Sequence, residues 1–134
     1  VRSRCAELSV RPTEQEAAAP SPEAQALLEA MAGGEGPAVT QVLVGFENGK
    51  MTREKLQQVL RECREGSLQA LRLRCGAPPE TLCADGVGPL SRRLTKKQLM
   101  RLCEMLGRFA QECEWNVAVG QVLGAVAAEW EDIL

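Results

Sequence analysis

The chain has 134 residues, 45% apolar and 25% charged, with a formal net charge of −2, values of one globular domain that exclude wholesale disorder. Aromatic residues make up only 3%, and His and Tyr are absent, so the core must come from Leu, Val, Ala, Met and Cys. That mixture suits an all-α fold better than a β-sandwich, in which β-branched and aromatic residues dominate.

The first twenty residues read as a disordered tail or linker, because Arg11–Pro20 has no periodic apolar face and carries Pro at both ends. The chain starts at Val1 without Met or an apolar leader, which reads as a piece of a larger protein and not as a signal peptide. A single α-helical domain is expected over residues 21–134. Its first helix starts at Ser21-Pro22-Glu23, an N-cap residue followed by Pro at the first helical position. Ala24, Leu27, Leu28 and Met31 form its apolar stripe, and Gly33-Gly34 stops it. A second helix over about 37–46 places Val39, Val42, Leu43 and Phe46 on one face and exits at Asn48-Gly49.

Thr52 caps a third helix with Leu56, Val59, Leu60 and Cys63 inward and a charged outer face. A fourth is expected after Gly66, through Leu68 and Leu71. From Gly76 to Pro89 the chain reads as irregular, with one short helical turn around Leu82 and Cys83. The longest helix starts at Thr95, where Thr95-Lys96-Lys97-Gln98 fits a capping box, and its stripe runs from Leu99 to Cys113. The last helix, from about Trp115 to Leu134, is apolar on more than half its circumference. Such a helix is enclosed on two sides or offers a partner surface. The expectation is thus about six helices in antiparallel pairs, as a helical repeat or an irregular bundle.

Two segment pairs are alike. Met51–Leu56 matches Leu94–Leu99 at an offset of 43, and Ala38–Leu43 matches Ala118–Leu123 in five of six positions at an offset of 80. On these segments the chain resembles the αα architecture of HEAT and armadillo repeats, whose units run about 40–47 residues. The resemblance implies stacked helix pairs and a role in holding other proteins.

Six cysteines stand at positions 5, 63, 75, 83, 103 and 113, without a CxxC motif. Cys63, Cys103 and Cys113 fall on apolar stripes, where a thiol acts as a small hydrophobe, so free thiols and a reducing compartment are expected. The other reading is a secreted, disulfide-linked helical bundle of cytokine type. A globular six-helix death fold also has the right size, but the repeat offsets favour stacked pairs.

Catalysis has little to work with. Acid–base chemistry would fall to carboxylates, Lys or Cys, and no GxSxG, Walker loop or GxGxxG occurs. No cofactor, metal or small-molecule substrate is expected, and no apolar run spans a membrane. Charge is uneven along the chain: residues 50–108 hold thirteen Lys and Arg against six acids, and the remainder three against twelve. The densest cluster is Arg92, Arg93, Lys96, Lys97 and Arg101.

The reading is therefore a non-catalytic scaffold domain from a multiprotein complex, in the nucleus or cytoplasm, with another protein or further repeats as partner. Trp115, Val119, Val122, Val126 and Trp130 are the apolar candidates for that contact, with core packing as their plainer role. Nucleic-acid binding through the basic cluster is the less favoured alternative.

Overall fold

A computed structural model describes residues 20–33, 36–76, 87–115 and 117–134. They form six α-helices: α1 (Pro22–Gly33), α2 (Gly36–Asn48), α3 (Arg53–Arg74), α4 (Val87–Arg93), α5 (Lys96–Glu112) and α6 (Val119–Ile133). A 3₁₀ turn at Cys113–Trp115 lies between α5 and α6, and no strand occurs among the described residues. The expected tail over 1–20 and the turn around Leu82 and Cys83 lie outside the described residues, apart from Pro20.

The helix starts follow from their caps. Ser21 Oγ accepts from Ala24 N at 3.3 Å, and also donates to Glu62 Oε1 at 2.8 Å, which ties the start of α1 to α3. Thr52 Oγ1 accepts from Lys55 N at 3.1 Å. At α5 both halves of the capping box form: Gln98 N donates to Thr95 Oγ1 at 3.1 Å, and Thr95 N to Gln98 Oε1 at 2.9 Å.

Three expectations need correction. The third and fourth helices are one, α3, which runs 22 residues straight through Gly66. Glycine in a helix interior costs about 1 kcal/mol against Ala, but here it makes room for a neighbour. A Cβ at Gly66 would stand 2.8 Å from Leu28 Cδ1, so α1 packs against the α3 backbone. The helix stops instead at Gly76, whose φ of 106° is left-handed. Secondly, a helix, Val87–Arg93, starts inside the stretch to Pro89 that was expected to be irregular; Pro89 sits in its first turn, where no helical N–H is needed. Thirdly, Trp115 belongs to the 3₁₀ turn, and α6 starts four residues later at Val119.

The core is continuous. α3 and α5 form the most extensive pair, antiparallel, since Gln57 near the start of α3 donates to the Ala110 carbonyl near the end of α5 at 3.0 Å. Leu56, Val59, Leu60 and Cys63 face Leu99, Leu102, Leu106 and Phe109 within one buried cluster. Each such aliphatic side chain contributes about 2 kcal/mol over leaving it exposed. α1 and α4 pack on each other and on α3, while α2 pairs with α6 at the far side.

The alike segments thus lie on helices in contact, α2 with α6 and α3 with α5. Their order along the chain is nested, with the α2 and α6 segments outside and the α3 and α5 segments inside; tandem pairs would alternate.

Candidate functional site

The basic cluster sits at a corner built by α4 and α5. Leu90 and Leu94 are buried beneath it and fix the end of α4, and the Thr95 capping box fixes the start of α5. Arg92 and Arg93 occupy the last turn of α4, and Lys96 and Lys97 the first turn of α5.

The five cations do not share one role. Arg93 donates from Nη1 to the Met31 carbonyl at 2.9 Å and so caps the C-terminal end of α1. Arg101 pairs with Asp132 Oδ2 at 2.9 Å, joining α5 to α6. Arg92, Lys96 and Lys97 are exposed and form no ion pair among the described residues. Lys96 and Lys97 oppose the α5 dipole, at a cost of about 0.3–1 kcal/mol each. Met100, one turn further along α5 from these lysines, is 54% exposed.

Sequence reading missed Arg72 and Arg74 as members of this corner. They sit in the last turn of α3, and Arg74 Nη1 reaches the Ser91 carbonyl at 3.5 Å. Because α3 continues through Gly66, its cationic end arrives beside α4. The one legible signal was Gly76, ten residues beyond the stop assumed at Gly66.

The apolar candidates separate differently. Val122, Val126 and Trp130 are in the core, with Trp130 only 2% exposed, which is the plainer packing role. Val119 is half-buried. Trp115 stands out on the 3₁₀ turn at 65% exposure. Where α6 meets α2, Gly120, Leu123, Gly124 and Ala127 line a shallow groove of about 120 Å³, rimmed by Val44 and Glu47.

The described cysteines, Cys63, Cys75, Cys103 and Cys113, are free, and only Cys75 is exposed. Burial pushes the Cys63 thiol far up, and the thiol donates to the Ala24 carbonyl at 3.5 Å. Burial raises Cys103 to about 11 and raises Cys113 as well. These are inert packing groups. Among the described residues no group of three or more His, Cys, Asp or Glu is placed to hold a metal ion. No helix there is long and apolar enough to cross a membrane. No known protein family, curated protein or solved structure matches the chain.

Proposed function

We propose that the chain is a non-catalytic interaction domain that docks an acidic partner protein on the corner where α4 meets α5. The observation that carries this reading is the placement of Arg92, Lys96 and Lys97. All three are exposed, lack an ion pair among the described residues, and include two lysines set against a helix dipole. Such an arrangement loses stability in the free domain and regains it when carboxylates arrive. Exposed Met100 supplies an adaptable apolar contact beside the charges.

Buried, unpaired Cys63, Cys103 and Cys113 support a reducing compartment, nuclear or cytoplasmic. The absence of His and Tyr from the sequence supports a role without acid–base chemistry.

The test is affinity capture from cell extract with the wild type and with Arg92→Glu, Lys96→Glu, Lys97→Glu, before and after nuclease. The reading expects nuclease-resistant capture of proteins with acidic segments, lost in the triple variant. Capture that disappears with nuclease would instead favour nucleic acid.

A further inference from the structure

A second cationic feature lies at the opposite end of the α3–α5 pair. An open groove of about 420 Å³ runs between the two helices, lined by Arg61, Arg64, Gly107, Ala110, Gln111 and Glu114. Its two arginines, three residues apart on α3, share a helix face.

Their circumstances differ. Arg61 Nη2 donates to Glu114 Oε2 at 3.1 Å, and Gln57 Nε2 donates to the same oxygen at 3.2 Å, so this wall of the groove is internally satisfied. Arg64 forms no ion pair among the described residues. Glu65 and Glu104 are near enough to act on the Cys103 thiol, as Arg64 is, yet neither pairs with Arg64. Its position is also specified. A Cβ at residue 107 would stand 3.0 Å from Arg64 Nε and 3.2 Å from its Cδ, so glycine lets the guanidinium lie against the α5 backbone. A guanidinium laid against a helix backbone without a carboxylate, in a groove that Gln111 also lines, is free to take a planar oxyanion. The groove is too large for one small ion and fits a stretch of peptide.

We propose that this groove takes a carboxylate side chain of an acidic partner segment, with Arg64 as its principal donor. The proposal rests on the reading of the chain as a domain that docks acidic proteins, and gives such a partner a second point of attachment.

Fluorescence anisotropy in low salt, with labelled decaglutamate as the probe, tests it. Arg64→Gln, an exposed change that leaves the core intact, should weaken binding about tenfold, the effect of losing one charge-assisted partner. Gly107→Ala should weaken binding by a smaller factor while raising the thermal midpoint, since Ala favours the helix. A purely structural role for Gly107 would not move these two readouts in opposite directions. Unchanged affinity in Arg64→Gln overturns the groove, and if the Arg92→Glu, Lys96→Glu, Lys97→Glu variant then loses binding, the corner alone stands. The reverse pattern keeps the groove and removes the corner. A wild-type chain that ignores decaglutamate overturns both. Binding of labelled oligouridylate in place of decaglutamate, with the same Arg64 dependence, overturns the peptide assignment.

Discussion

Helices α5 and α6 pack on each other and are close in length, at 17 and 15 residues, yet they are built on opposite plans. α5 starts with a complete capping box, buries one apolar stripe, and turns Lys96, Lys97, Met100, Arg101, Glu104 and Arg108 outward. α6 has no side-chain cap at Ala118 and buries Val122, Leu123, Val126, Trp130 and Ile133 between α2 and α5. Its two ion pairs with α5, Asp132 to Arg101 and Glu129 to Arg108, are exposed and contribute little. The difference teaches that an apolar-rich helix marks enclosure by two neighbours. Chemistry directed at a partner is better sought where a helix tolerates residues that it does not need.

Four changes probe that contrast, in decreasing size. Trp130→Ala, in the last turn of the enclosed helix, should cost about 4 kcal/mol in denaturant unfolding, the range for removing a large buried aromatic. A loss under about 1 kcal/mol would show that α6 is peripheral. Gly66→Val should cost about 2 kcal/mol, because the added side chain meets Leu28 inside the core. Thr95→Ala should cost about 1 kcal/mol through loss of the α5 cap, with Arg92, Lys96 and Lys97 unchanged in composition but less firmly placed. Smallest, the charge reversals Lys96→Glu and Lys97→Glu should leave stability unchanged or raise it by about 0.5 kcal/mol each, since they now favour the α5 dipole.

Much of the fold was legible because caps and stripes are local. Ser21, Thr52 and Thr95 each cap as their spacing implies, and the stripes of α1, α5 and the first half of α3 are buried as read, while Leu68 and Leu71 beyond Gly66 are only half-buried. Gly66 was misleading because a glycine that admits a neighbour and a glycine that ends a helix look identical until Leu28 is in place. The exit after α2 shows the same limit on a smaller scale. Asn48-Gly49 marks it, but the left-handed residue is Lys50 at φ 57°, with Met51 N closing back on the Phe46 carbonyl at 3.1 Å.

The candidate surface was half legible. Arg92, Lys96 and Lys97 could be read from composition along the chain. That Arg93 caps α1 and Arg101 holds α6 depends on which helices become neighbours, as does the arrival of Arg74. Trp115 and Trp130 illustrate the same point, since each directly follows a glutamate, Glu114 or Glu129, and only packing separates the exposed one from the buried one.

The central claim is that the α4–α5 corner serves binding and not folding. It is tested most directly by measuring thermal unfolding and decaglutamate binding together on the Arg92→Glu, Lys96→Glu, Lys97→Glu variant. The account predicts a midpoint equal to or above that of the wild type, with binding lost. A midpoint several degrees lower with binding intact would contradict it.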